Sequence, residues 1–315
     1  METVSCPISG STAFSSYLQV PDRFYSSGKA QWQLVRSRAS GLIMLNPRPD
    51  GSEIADHYRN QPYDPYIHTA NSSTLRDQAY LAARSALLGY RAAIVMKYPA
   101  KTPAKLSLLE IGCSTGDLLN YLHDKKGIPK ENLAGVEPDV ETRKIARKRF
   151  NLNIYSSIYK VNNSPAKFDR IVLWHTLEHI HTLNETIAYA VKKLEHEGLL
   201  VIALPNPSSF DAKHYRENWI AWDAPRHLYH FVPETLEKLL DTHKLKIIKQ
   251  QPYLPDTLYN TINSEKLRCN MQCRQFHALK MSKAVLTAIT AASIGTLWPI
   301  LGSSLVYFVQ KTNPA

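Results

Sequence analysis

Residues 110–118, Glu-Ile-Gly-Cys-Ser-Thr-Gly-Asp-Leu, restrict the fold more than any other stretch of this chain. They follow an apolar run, Leu106-Ser107-Leu108-Leu109, and open a helical pattern, Leu118-Leu119-Asn120-Tyr121-Leu122. The order is strand, glycine turn, helix. Such a turn lets a ligand approach the backbone closely, because glycine carries no Cβ and tolerates positive φ. A dinucleotide site would use the spacing G-x-G-x-x-G, which is absent. Glu110 at the strand end would also repel a pyrophosphate.

A cationic amino-acid ligand, with an ammonium and a sulfonium, would be attracted instead. The pattern E-x-G-x-x-x-G therefore points to S-adenosyl-L-methionine. A second acid, Glu137, ends the next apolar run, Leu133-Ala134-Gly135-Val136. A carboxylate there can accept both ribose hydroxyls, and its spacing from the glycine turn fits one β-α-β unit. Its other use would be a helix N-cap, which Asp139 fills better. A third motif runs from Phe168 to His179: an apolar strand ends at Trp174, and His175, Thr176, Glu178 and His179 follow at once. An imidazole titrates near neutrality and can take a proton from an acceptor hydroxyl; the competing role for His179 is to fasten the loop by a backbone hydrogen bond. The fourth motif, Trp219-Ile220-Ala221-Trp222-Asp223-Ala224-Pro225-Arg226-His227-Leu228-Tyr229-His230-Phe231, follows Leu204-Pro205-Asn206-Pro207 and is dense in aromatic and basic residues. Aromatic walls with a few polar groups suit an acceptor pocket, and His227 and His230 are either further bases or loop fasteners.

From Lys105 onward, strand and helix patterns alternate. Strands are expected at 106–111, 132–137, 153–157, 169–174, 198–204, 245–251 and 304–309, and helices near 117–126, 139–149, 184–195 and 233–242. This alternation predicts an α/β fold, a mainly parallel sheet with helices on both faces. Ligands of such sheets bind beyond the carboxyl ends of the strands, where all four motifs fall. Ahead of it, Ser72-Ser73-Thr74 offers an N-cap to a helix with Leu75, Ala79, Ala82, Ala86 and Tyr90 on one face, ended by Pro99 and Pro103.

With L-E-I-G-C-x-x-G, W-H-x-L-E-H and P-R-H-L-Y-H-F in this order, the chain resembles the class I S-adenosylmethionine-dependent methyltransferases. Within them it is similar to the branch related to ubiquinone-biosynthesis O-methyltransferases, over residues 105–245 and the last strand. The resemblance implies a Rossmann-like seven-stranded sheet. It implies that Glu110, Gly112, Cys113, Ser114, Gly116 and Asp117 line the methionine end of the cofactor, that Glu137 holds the ribose, that Pro138 flanks the adenine, and that Trp174 borders the cofactor. Ser156 and Ser157 stand where the class often has an acid or amide near the adenine amine; no acid is present. His179, His175 and His227 are the candidate catalytic bases, and Trp219, Trp222, Arg226 and His230 the candidate acceptor-binding residues.

Many relatives begin with a zinc ribbon, C-x-x-C and, about 30 residues on, C-x-x-C-G-L. Here the matching positions are Cys6, Ser9, Ser37 and Ser40, followed by Gly41-Leu42. Hydroxyls are poor zinc ligands, so a degenerate ribbon without metal is expected over 1–60, a helical lid over 61–104, and the methyltransferase domain over 105–315. Residues 284–301 form an apolar insertion in that domain, interrupted by Gly295 and Pro299. It is expected to cover the pocket, or else to contact a membrane surface peripherally, with Lys280 and Lys283 upstream, or to span a membrane.

The net charge of +11 is dispersed rather than clustered, which argues against a nucleic-acid partner. The first 20 residues show no basic start with an apolar core, so a cytoplasmic location is expected. The reading is methyl transfer to a small-molecule acceptor, at oxygen, with transfer to carbon or nitrogen and a non-catalytic cofactor- or partner-binding module as alternatives.

Overall fold

A computed structural model describes residues 1–24, 31–58, 75–98, 101–161 and 167–312, with side chains of 75–81 excluded. In chain order the elements are β1 (Phe14–Pro21), β2 (Gln31–Ser37), β3 (Ile43–Leu45), α1 (Leu75–Val95), β4 (Leu108–Ile111), α2 (Asp117–Lys126), β5 (Leu133–Val136), α3 (Val140–Phe150), β6 (Asn153–Tyr155), β7 (Phe168–Trp174), α4 (Leu183–Lys193), β8 (Leu194–Pro205), α5 (Phe210–Tyr215), β9 (Tyr229–His230), α6 (Pro233–Thr242), β10 (Leu245–Pro252), α7 (Pro255–Met271), α8 (Ala278–Leu297) and β11 (Ser304–Lys311). A seven-stranded sheet has the order β10-β11-β8-β7-β4-β5-β6. The pairs β7–β4, β4–β5 and β5–β6 are parallel and β10–β11 is antiparallel. This is the α/β fold expected, and all seven strands lie where the sequence pattern put them.

The chain divides into two compact units: residues 62–174 with 186–201, and residues 1–61 with 175–185 and 202–315. In the first unit, β4, β5 and β7 are buried along their whole length, as parallel strands covered on both faces must be. The helices start and stop on specific residues. α2 leaves Gly116 at φ 75° and ends on Gly127 at φ 74°, whose N–H closes the last turn on the Leu122 and His123 carbonyls. α3 starts on Asp139, whose carboxylate accepts from the Thr142 N–H at 2.7 Å.

α1 packs on α2, and the residues it buries are not those at the spacing noted in the sequence. Ala92 and Val95 are buried with Leu88 and Arg91 half-buried, whereas Ala82, Ala86 and Tyr90 are exposed. The small residue at the crossing is Gly89, where a Cβ would stand 2.7 Å from the Tyr121 hydroxyl. Position 89 therefore sets the contact face. The Ser72-Ser73-Thr74 cap and the 60/61 boundary lie outside the described residues.

In the second unit, a small antiparallel sheet has the order β1-β2-β3-β9. Its last strand pairs Ile43 with His230 and Met44 with Tyr229, which pins the aromatic loop to the N-terminal segment. The apolar insertion is larger than expected. α7 and α8, both between β10 and β11 in sequence, pack on each other and on α5. No helix among the described residues is long and apolar enough to cross a membrane.

Candidate functional site

The sequence-predicted residues fall into two groups, one within each unit. In the first unit the glycine turn is clamped to the end of β5: the Gly112 and Cys113 N–H groups both donate to the Val136 carbonyl, at 2.8 and 3.0 Å. Gly112 and Gly116 have φ of 77° and 75°, the left-handed region open to glycine. Gly135 gives the turn its room, since a Cβ there would stand 2.6 Å from Cys113 Sγ. Glu137, 6% exposed, accepts from the Ser114 N–H at 3.1 Å with one oxygen and from the Asp139 N–H at 2.9 Å with the other. Burial raises its pKa against those two hydrogen bonds.

Glu110, 2% exposed, pairs through Oε1 with Arg91, while Oε2 has no hydrogen-bond partner. Burial lifts its pKa to about 7, against the pull of Arg91. The Arg91 guanidinium also lies over the Trp174 ring, 4.6 Å from its centroid. Asp117 accepts from Thr115 Oγ1 and Arg84 and so faces its own helix start. Pro138 and Asp139 are exposed at the end of β5, and Ser157 is half-buried after β6. Arg91 was not among the predicted residues. Its signal was available, a lone arginine on the inward face of α1, but reading that face requires knowing which residues meet α2.

In the second unit, the loop after β7 and the aromatic loop are joined by backbone. The Leu228 N–H donates to the Glu178 carbonyl at 2.8 Å, and the Leu45 N–H to the Leu228 carbonyl at 2.9 Å. This brings His179 and His227 together, their ring centroids 4.5 Å apart at 82°. His227 Nδ1 lies 2.8 Å from the Ala221 carbonyl, and His179 Nδ1 lies 3.0 Å from the Arg226 carbonyl and 3.0 Å from the Tyr58 hydroxyl. Each Nδ1 facing a carbonyl carries the proton, which leaves Nε2 with the lone pair. Burial lowers both pKa values, that of His179 to about 4, with neighbouring His227 adding to the effect.

His175 is different. It sits at φ 48° just beyond β7, with Nε2 2.7 Å from Asp256 and Nδ1 3.6 Å from Glu178. Burial opposes its charge, yet the two carboxylates carry its pKa up to about 10. The group is a cation at neutral pH. Glu178 lies 1% exposed between these imidazoles; burial opposes its charge too, but His175, His179 and His227 hold its pKa at about 2. Neither Glu178 nor Asp256 was singled out as a site residue in the sequence.

The candidate acceptor residues are engaged internally. Trp219 donates from Nε1 to Asp211 at 2.8 Å and Trp222 to the Arg216 carbonyl at 2.6 Å, and both are at most 3% exposed. Arg226, 1% exposed, bonds Asp22 and Asp223 at 2.8 Å. His230 packs edge-on against Trp222 at 4.9 Å, and burial takes its pKa to about 3. Farther along the same unit, the four ribbon positions converge: Cys6 Sγ is 3.1 Å from Ser40 Oγ, the Ser40 N–H donates to Ser37 Oγ at 3.3 Å, and Ser9 and Ser37 also hydrogen-bond to Cys6.

The methyltransferase domain family matches residues 80–250, more than half of the chain. This chain belongs to that family. Among solved structures, this methyltransferase-domain protein is similar to geranyl diphosphate C-methyltransferase from Streptomyces coelicolor A3(2), in complex with Mg2+, geranyl diphosphate and S-adenosyl-L-homocysteine, at a TM-score of 0.53 and 12% identity, over 83% of this chain and 97% of that one. It is also similar to magnesium protoporphyrin IX methyltransferase from Synechocystis PCC 6803 with bound S-adenosylhomocysteine, at a TM-score of 0.50 and 10% identity, over 84% of this chain and all of that one. No curated protein sequence matches. At such identities the likeness carries the fold and leaves the acceptor open.

Proposed function

We propose that this chain transfers a methyl group from S-adenosylmethionine to an oxygen atom of a small-molecule acceptor. The reading rests on Glu110, a buried carboxylate with an oxygen that no protein group satisfies, beside a turn of two positive-φ glycines. A buried polar atom is normally hydrogen-bonded, and an ammonium fits this one where an anion does not. Glu110 and Arg91 would take the two charges of the cofactor's amino-acid end. Gly112, Cys113, Ser114, Gly116 and Asp117 would line it. Glu137 has used one lone pair on each oxygen and keeps another for each ribose hydroxyl. Pro138, Ser157 and Trp174 would border the adenine and sulfonium ends. Bound there, the cofactor supplies an electrophilic methyl on a sulfonium.

The chain's own contribution is to align the reactants and to receive a proton. His179 and His227 are uncharged with free Nε2 lone pairs and suit that task. His175 already holds its proton, so it is assigned the role of an orienting cation rather than a base. Trp219, Trp222 and Arg226 hold the loop that carries His227, and His230 packs behind it. Oxygen acceptors fit a neutral imidazole, which assists deprotonation of a hydroxyl. The converged Cys6, Ser9, Ser37 and Ser40 support placement in the ribbon-bearing branch related to ubiquinone-biosynthesis O-methyltransferases, with 1–60 as the degenerate ribbon.

Isothermal titration with S-adenosylhomocysteine tests the cofactor half: heat is expected from the native chain and a strongly reduced signal from Glu110→Gln. Labelled cofactor in cell extract, with mass identification of the labelled product, tests the other half. Binding without transfer to any acceptor would move the reading to a non-catalytic module, and a label on carbon or nitrogen would move the accepting atom.

Peripheral membrane contact belongs to the same reading. α8 buries its small residues, Ala284, Ala288, Ala291 and Gly295, and turns Leu286, Ile289 and Leu297 outward, with Trp298 beyond its end. Lys280 and Lys283 stand at its start. An apolar face turned to solvent with cations beside it supports docking on an anionic lipid surface. Sedimentation with anionic vesicles tests this, and Leu286→Glu with Ile289→Glu should abolish it.

A further inference from the structure

We propose that Glu178, His179 and His227 form a binding site for one divalent transition-metal ion of the zinc class, with one donor atom from each residue. Their donor atoms lie within 4.8 Å of one another. Bonds to zinc of about 2.1 Å require tetrahedral donors roughly 3.4 Å apart, so the shell needs only a small inward movement. The site runs against the expectation from sequence that the chain holds no metal, and it is independent of the cofactor reading.

Three observations carry it. The first is Glu178 itself. It is 1% exposed, and neither carboxylate oxygen has a hydrogen bond. Buried charges are paired, hydrogen-bonded or bound to a metal. Among the described residues the cation facing it is His175, in an ion pair at 3.6 Å that is longer than a hydrogen bond and is shared with Asp256 on the other ring nitrogen. The second is the tautomers. His227 Nδ1 faces the Ala221 carbonyl and His179 Nδ1 the Arg226 carbonyl, the outer-shell arrangement that fixes an imidazole with Nε2 ready to ligate. His227 Nε2 is 4.0 Å from Glu178 Oε1. The third is charge. Arg226 and Arg23 answer Asp22 and Asp223, and the single cation His175 is shared between Asp256 and Glu178, so this group holds one more carboxylate than it has cations.

Two imidazoles and one carboxylate make a three-ligand set with room for water or an acceptor oxygen. Such an ion would polarise a bound hydroxyl and favour its deprotonation. The four N-terminal ribbon positions offer one thiol and three hydroxyls and do not compete.

The test uses the full-length chain, stripped with chelator and desalted. Zinc chloride titrated calorimetrically should bind at one ion per chain. Cobalt(II) should give visible ligand-field bands without thiolate charge-transfer absorption, which excludes Cys6, Cys269 and Cys273 as ligands. Glu178→Gln and His227→Ala should each weaken zinc binding more than about 100-fold, the upper range seen even for outer-shell changes. His214→Ala, on α5 and outside the cluster, should leave it unchanged. If either cluster variant fails to fold by circular dichroism, anomalous diffraction at the zinc edge from native crystals decides, with a peak expected among the three residues. No zinc or cobalt binding, full binding by both folded variants, a thiolate band, or an anomalous peak elsewhere would each overturn the proposal. S-adenosylhomocysteine affinity measured on Glu178→Gln separates this outcome from the cofactor reading, since that affinity should not change.

Discussion

In the unit that carries the glycine turn, Glu137 spends one oxygen on the Ser114 amide and the other on the Asp139 amide. In the other unit Glu178, also buried, has no hydrogen bond to either oxygen. The first carboxylate is answered by backbone within 23 residues of chain. The second faces imidazoles, two from its own loop, His175 and His179, and one, His227, from a loop about 50 residues away. A carboxylate held by local amides organises a turn whether or not a ligand is present. One held only by the field of nearby imidazoles is poised for an incoming cation. Glu110 stands between these cases, with one oxygen on Arg91 and one unsatisfied.

The most damaging change on this comparison is Arg226→Ala. Arg226 is 1% exposed and bridges Asp22 and Asp223. Its removal leaves buried carboxylates short of their cation, at a cost of about 3–5 kcal/mol. Thermal melting should show that loss. A shift of only a degree or two would mean that Arg23, 3.0 Å from Asp223, already carries the load, and the second unit would then be less dependent on buried charge than its geometry indicates.

Next in size is a pH effect of opposite sign in the two units. The folded pKa of Glu110, about 7, lies above its ordinary value of 4.5. Its contribution to stability is therefore fully present below about pH 4.5 and is lost as pH rises through 7, on the order of 3 kcal/mol. His179 lies at about 4 and His230 at about 3, both below the ordinary 6.5. Their contribution is present above pH 6.5 and lost as pH falls through those values. Amide exchange between pH 4.5 and 7 should show protection falling in β4 and β5 while it rises around β9 and the aromatic loop. The same sign in both places would break the comparison.

These two regions also differ in how much of them the sequence reveals. Strand, glycine, helix and strand-end acid are consecutive in the chain, so Glu110, Gly112, Gly116 and Glu137 were legible as a set. All seven sheet strands were legible for the same reason, since each carries its own apolar run and turn residues. The imidazole cluster was legible only as separate histidines. Its convergence depends on the Leu228 N–H reaching the Glu178 carbonyl and on β9 pairing with β3, contacts that no local pattern encodes. The inward face of α1 is not legible in the sequence, because small residues such as Ala82 and Ala86 are compatible with either face, and Gly89 against Tyr121 decides between them. The apolar insertion expected over 284–301 covers most of α8, while α7 has no apolar stripe to mark it because it buries polar residues, Asn260, Ser264 and Glu265.

A smaller effect sharpens the role of Glu137. Glu137→Gln keeps the shape but can accept hydrogen bonds at one end only, so its amide would oppose either the Ser114 or the Asp139 N–H. The turn should still form, because Val136 continues to hold Gly112 and Cys113. Affinity for S-adenosylhomocysteine should drop by roughly 10- to 100-fold, the cost of about 1.5–3 kcal/mol for a charged hydrogen bond, with little change in melting temperature. A large melting shift with unchanged affinity would reverse the assignment, making Glu137 a turn fastener alone.

The smallest effect is expected at Cys6. Its thiol is buried and 3.1 Å from Ser40 Oγ, with Ser9 and Ser37 also hydrogen-bonded to it. In a zinc ribbon, loss of one thiolate would unfold the segment, because metal binding supplies its folding free energy. With three hydroxyls in place of thiolates, Cys6→Ser exchanges one weak hydrogen-bonding group for another of similar shape, and should cost less than about 1 kcal/mol. A chelator should likewise leave the melting of the β1–β3 segment unchanged, while it removes any ion held by Glu178, His179 and His227. Chelator sensitivity confined to the histidine cluster would show that two donor sets in one unit differ by ligand chemistry, not by burial, since both are enclosed. Chelator sensitivity at Cys6 would mean that the hydroxyls ligate after all, and the contrast between the two sets would fail.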